Sequence, residues 1–109
     1  MPADATPKFL IQLLLPTRDR HQHPIPEPLF AAVRRTLTDR FGGVTAYDRA
    51  PASGLWKRPD GDVDGDQVVM VEVEAADLDR DWWASFRRQL ERDFGQNQIL
   101  VRAVPIESL

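Results

Sequence analysis

Hydrophobic positions along the chain follow two periods. In Phe9-Leu10-Ile11-Gln12-Leu13-Leu14-Leu15 the odd positions are all apolar, while the even ones mix Leu10 and Leu14 with Gln12 and the preceding Lys8. A period of two marks a strand with one face fully buried and the other mixed. Pro16 ends it, because proline has no N–H for a ladder. The alternation returns in Gln67-Val68-Val69-Met70-Val71-Glu72-Val73-Glu74, where three valines share one face and Val68, Met70, Glu72 and Glu74 the other. Two weaker strands are expected. One starts at Val44–Asp48, is interrupted through Ala50-Pro51-Ala52-Ser53-Gly54 and resumes at Leu55-Trp56-Lys57. The other is Gln98–Val104, with Ile99, Val101 and Ala103 on one face. Pro59 to Asp66 reads as a turn rich in Asp and Gly.

The second period is helical. From Pro28 to Phe41 an apolar stripe of Leu29, Phe30, Val33, Leu37 and Phe41 runs beside Arg34, Arg35, Asp39 and Arg40. Proline suits the first turn, and Gly42-Gly43 supplies a left-handed stop. From Asp79 to Phe94 the stripe is Trp82, Trp83, Phe86, Leu90 and Phe94. Asp79 is placed to cap this helix, and Gly95 closes it. The adjacent tryptophans lie about 100° apart, so one is expected on the sheet and the other at the edge of the stripe. Slid so that Leu29 meets Trp82, the helices match at Val33 with Phe86, Leu37 with Leu90 and Phe41-Gly42 with Phe94-Gly95. Two amphipathic helices that end alike, or two related βαβ halves, both account for this. Thr17 to Pro26 has two prolines and no period, and reads as a polar loop.

The order βαββαβ predicts an α+β, ferredoxin-like sandwich: a four-stranded antiparallel sheet with two helices on one face. Its first and third strands are central, and those are the two most apolar runs. Parity then puts Leu10, Leu14, Val68, Met70 and Leu100 together on the open face, too apolar to be left in water. This face is expected to be covered by the same face of a second chain in a twofold homodimer. Gln12, Glu72 and Arg102 share it on adjacent strands. They fit an interface ion-pair network, or a ligand cavity with Glu72 as base and Arg102 or Tyr47 orienting an anion.

Composition limits the function classes. A chain of 109 residues, 42% hydrophobic and 28% charged, is one globular domain. The expected division is a leader at 1–7, the domain at 8–105 and a tail at 106–109. With no cysteine there is no disulfide, thiolate nucleophile or cysteine metal site. A net charge of −3 argues against a nucleic-acid partner. The apolar run within Phe9–Leu15 is too short for a membrane span or signal peptide, so no membrane association and a cytoplasmic location are expected. No phosphate loop or nucleophile elbow occurs, and no cofactor is expected.

The remaining polar clusters are the candidate chemistry. His21 and His23, with Asp19, could bind a metal or move protons, although exposed loop residues fit them as well. Asp60, Asp62, Asp64 and Asp66, with Gly65, match the first half of a calcium loop. The twelfth position is Val71 instead of a bidentate Glu, and a solvated hairpin connection accounts for the pattern too. Tyr47, Trp56, Gln12, Arg102 and Arg20 are the candidate ligand contacts. His21, His23, Glu72 and Tyr47 are the candidate proton-transfer groups.

Phe41-Gly42-Gly43-Val44-Thr45-Ala46, Gly54-Leu55-Trp56-Lys57 and the Trp82-Trp83 helix together resemble a group of small uncharacterised bacterial proteins with a ferredoxin-like domain, over about residues 8–104. The resemblance implies fold and a soluble bacterial origin, and no catalytic residues. The leading expectation is a homodimeric module that binds a small molecule or partner near Tyr47, Trp56 and the Arg18–His23 loop. The alternative is a cofactor-independent enzyme of the dimeric α/β-barrel kind, a small monooxygenase or isomerase, with a cavity between sheet and helices.

Overall fold

The computed structural model describes residues 8–47, 54–57, 63–66 and 68–109, with only the backbone path for Tyr47, Gly54–Lys57 and Val63–Asp66. The elements are β1 (Phe9–Pro16), α1 (Glu27–Phe41), β2 (Thr45–Tyr47), β3 (Gly54–Lys57), β4 (Val63–Asp66), β5 (Val68–Ala75), α2 (Arg80–Asp93) and β6 (Leu100–Pro105). Four strands form an antiparallel sheet in the order β2-β5-β1-β6, and β3 pairs with β4 in a separate two-stranded sheet. The four-stranded sheet with its two helices is the ferredoxin-like α+β sandwich.

Capping sets the helix ends. At the start of α2 the Asp79 carboxylate accepts from the Trp82 N–H at 3.1 Å, satisfying a donor that the first turn leaves free. At the end of α1, Gly42 turns left-handed at φ 82° and its N–H donates to the Thr38 carbonyl. A side chain there would meet nothing within 4 Å but would be strained by the positive φ.

Packing follows parity. Ile11, Leu13 and Leu15 of β1 and Val69, Val71 and Val73 of β5 are buried against Phe30, Val33 and Leu37 of α1 and Trp83, Phe86 and Leu90 of α2. The matched helix positions Val33 with Phe86 and Leu37 with Leu90 are thus both core pairs. Of the two tryptophans, Trp83 is buried and Trp82 half-buried. The Phe41 ring stacks on Trp83 and meets Trp82 edge-on, with centroids 5.4 and 5.6 Å away. Arg40 lies 4.2 Å over the Trp82 ring and pairs with Asp79 at 3.4 Å, so the rim is covered by a cation on an aromatic face.

Three expectations are corrected. Leu55–Lys57 does not resume the second strand: Gly54–Lys57 pairs instead with Val63–Asp66, which is strand where a turn was expected. Cross-strand pairing there outweighs the low strand propensity of Asp and Gly. Val68 keeps the open-face position that parity assigns it but is buried there, at 7% exposure beside Pro16, its partner across the ladder, and so adds nothing to the exposed patch expected of it. The last strand begins at Leu100, later than expected, because the Ile99 N–H is taken by the Glu91 carboxylate at 2.9 Å. Ile99 is core, while Val101 is half-buried and Ala103 exposed, as suits an edge strand.

Candidate functional site

The ladder aligns the outward residues in rows. Thr45, Glu72, Gln12 and Arg102 stand side by side on β2, β5, β1 and β6. Tyr47, Met70, Leu14 and Leu100 form the next row, and Glu74, Leu10 and Val104 a third. In the first row Gln12 is the link: its Nε2 donates to Glu72 Oε2 at 2.7 Å, and its Oε1 accepts from Arg102 Nε at 2.8 Å. The amide thus meets one charge of each sign with the matching end, as its donor and acceptor inventory requires.

The apolar rows are exposed at the β6 side and half-buried toward the centre. Leu10, Leu14 and Met70 are half-buried, and Leu100 and Val104 are 46% and 41% exposed. Val104 was not assigned to this face from the sequence, although continuing the alternation of Leu100 and Arg102 by two would have placed it there.

At the β2 edge the face runs into a groove of about 810 Å³ bounded by Leu10, Thr45, Glu72 and Glu74 on the sheet and by Phe41 and Gly42-Gly43 at the end of α1. Among the described residues β2 pairs only with Met70–Glu72, and beside the far end of β5 the chain leaving α1 forms the wall.

The other candidates lie elsewhere. The 17–25 loop is a compact hook built on Asp19. One carboxylate oxygen accepts from the N–H groups of His21 at 2.8 Å and His23 at 2.9 Å, and the other lies 3.5 Å from His23 Nδ1. The hydrogen bond from the His23 N–H, foremost, and that from His21 hold the Asp19 carboxyl below its ordinary value, against a smaller opposing effect of burial. Gln22 sits at φ 67°, its carbonyl held by Arg18 Nη1. The hook is pinned to the end of α2: Arg20 N–H donates to the Gly95 carbonyl and Gln96 Nε2 to that of Arg18. A Cβ on Gly95 would stand 3.1 Å from that of Asp19, so glycine permits both the positive φ and the close approach. These anchors escaped sequence reasoning, which saw only the stop signal at Gly95.

Arg20, His21 and His23 therefore sit by the end of α2, while Gln12, Glu72 and Arg102 form the row on the open face. Tyr47 occupies the register position opposite Met70, and Trp56 stands opposite Asp64 in the separate hairpin. Of the calcium candidates, Asp64 and Asp66 lie on β4, and Asp60 and Asp62 lie outside the described residues. Among the described residues no three metal-ligating groups converge, and no helix is long and apolar enough to cross a membrane.

The hook has a testable pH response. A depressed carboxyl adds stability above its unfolded value and loses it as pH falls through the folded one. The His21 and His23 amide resonances are expected to keep their positions down to the ordinary carboxylate range and to shift together below it. In Asp19→Asn that acid transition should vanish. Shifts of both amides that follow imidazole titration, unchanged in the variant, would exclude the mechanism.

No family model and no curated protein matches the chain. One solved structure is similar over 93% of this chain and 90% of its own, at a TM-score of 0.55 and 12% identity: a phage SAM lyase in complex with S-methyl-5'-thioadenosine. At that identity the likeness is one of fold. The family likeness read from Phe41–Ala46, Gly54–Lys57 and the Trp82-Trp83 helix rests on those residues alone.

Proposed function

We propose that this chain is a homodimeric binding module: two copies meet through the open sheet face, and a small molecule is taken up in the groove beside β2. The apolar rows Leu10–Val104 and Met70–Leu14–Leu100, with Leu100 and Val104 exposed, carry this reading. Exposed apolar surface of that extent rimmed by polar groups is characteristic of a contact surface. The groove supports the second half, since ligand sites run to about 300–1,000 Å³.

Sedimentation velocity at micromolar protein tests the assembly. A species of twice 12.4 kDa is expected, and a single chain across that range would refute it. Native mass spectrometry of protein purified from its own lysate tests for a retained small molecule.

The rival reading is a cofactor-independent enzyme. The layer between sheet and helices holds the apolar core, which disfavours a cavity there and leaves the outer groove as its place. The fold shared with a SAM lyase supports this reading and names the first compounds to try. Calorimetric titration with SAM and with S-methyl-5'-thioadenosine, followed by chromatography of the SAM mixture, separates the two: turnover favours the enzyme, and binding without turnover the module.

A further inference from the structure

We infer that the second copy sits on a twofold axis running along β1, so that Arg102 of each chain pairs with Glu72 of the other. This rests on the dimer reading above and specifies its geometry. The face is modest: strands of eight, eight, six and three residues at about 3.4 Å per residue and about 4.8 Å per strand give roughly 400 Å² per copy. Two such faces give roughly 800 Å², the size of a weak association, so it falls to the charges to select one arrangement.

Charge placement selects the axis. Twofold packing of two sheets puts the axis in the plane between them. If it runs along β1, position along the strands is kept and left and right are exchanged. Gln12 then faces its own counterpart, β6 lies over the partner's β5, and Arg102 meets Glu72 twice, symmetrically. The neighbouring row behaves alike, with Leu100 over Met70 and Leu14 over itself. An axis across the strands through the same row would set Glu72 against Glu72 and Arg102 against Arg102. Moved along by half the row spacing, it would set Glu72 against Met70 and Arg102 against Leu100, burying both charges unpaired. Only the first arrangement joins every charge of the row to its opposite.

The row is already organised for such a pair. Gln12 holds the guanidinium through Nε alone, so the terminal nitrogens, the fork that matches a carboxylate, have no partner among the described residues. Among the described residues Arg102 has no carboxylate partner. Glu72 gives one oxygen to Gln12 and keeps the other. Each charge thus enters the interface with a hydrogen bond made, which lowers the cost of removing it from water.

Charge exchange tests the geometry. Sedimentation equilibrium on the full chain is expected to show the dimer weakened at least tenfold in Arg102→Glu and in Glu72→Arg, each of which opposes like charges twice. The double variant should return to within about threefold of the parent, since the pairs re-form reversed. A double variant no tighter than the singles would overturn the axis and leave the dimer standing. A parent chain that sediments alone would remove both. Cross-linking gives an independent reading should either reversal disturb the fold. The chain has no cysteine, so Leu10→Cys and Leu14→Cys each place one thiol on the outward side of β1. Facing sheets lie about 10 Å apart, and their roughly 30° crossing displaces positions near the axis little. A bismaleimide spanning about 8 Å is therefore expected to link both variants into dimers. An axis across the strands brings at most one of these positions to its counterpart, so linkage of one alone, or of neither, refutes the inference.

Discussion

Replacing Phe94 by Ala is expected to lower stability by about 3–5 kcal/mol, the range for deleting a buried aromatic ring. Phe94 is 1% exposed and meets Phe30 of α1 edge-to-face at 5.3 Å and 84°. It is also the residue at the C-cap of α2. The loss combines burial, the cavity left under α1, and the edge-to-face term of about 0.5–1.5 kcal/mol. Against a total of about 5–15 kcal/mol for a domain, that is a large fraction. Urea unfolding followed by circular dichroism measures it, at protein concentrations fixed for both forms because assembly shifts apparent stability. A change under about 1 kcal/mol would mean that the layer between helices and sheet is loosely filled.

The second large effect comes from neighbouring leucines. Leu13→Lys is expected to abolish folding, and Leu14→Lys to leave the fold intact while abolishing the dimer. Leu13 is fully buried beneath the helices, where an ammonium has neither water nor partner. Leu14 is half-buried in the middle of the open face. In a single chain a lysine stem can lie along Met70 and Leu100 with its charge in water. In the dimer two ammonium groups would be brought together and desolvated. Circular dichroism reports the fold and sedimentation the mass. A Leu14→Lys protein that remains dimeric would show that the contact uses another surface, and a folded Leu13→Lys protein would contradict the parity itself.

That contrast shows how far the chain's pattern reaches. A side chain's face is set by its place in an alternating run, so the two sides of β1 and β5 are legible from Phe9–Leu15 and Val69–Glu74 directly. The stripes of α1 and α2 are equally local, as are the stops at Gly42 and Gly95, where only a glycine takes the left-handed turn freely. Parity gives Val68 its face but not its burial, which at a strand's end depends on what lies beside it. The β3–β4 hairpin reads from the sequence as a resumed second strand and a turn, since its pairing joins two segments whose own propensities are weak.

The candidate site divides in the same way. Its residues Gln12, Glu72 and Arg102 could be named from alternation, and their common face followed. That they stand in one row, with an amide bridging two opposite charges, is a matter of register, which depends on pairing between segments up to ninety positions apart. The Asp19 hook depends likewise on Gly95 and Gln96 arriving beside it. Local preferences, repeated every two or every three to four residues, determined which elements form and which way each faces. Register, the anchoring of the hook and the groove beside β2 were decided only in the folded chain, because they arise from contacts that no stretch of sequence makes with itself.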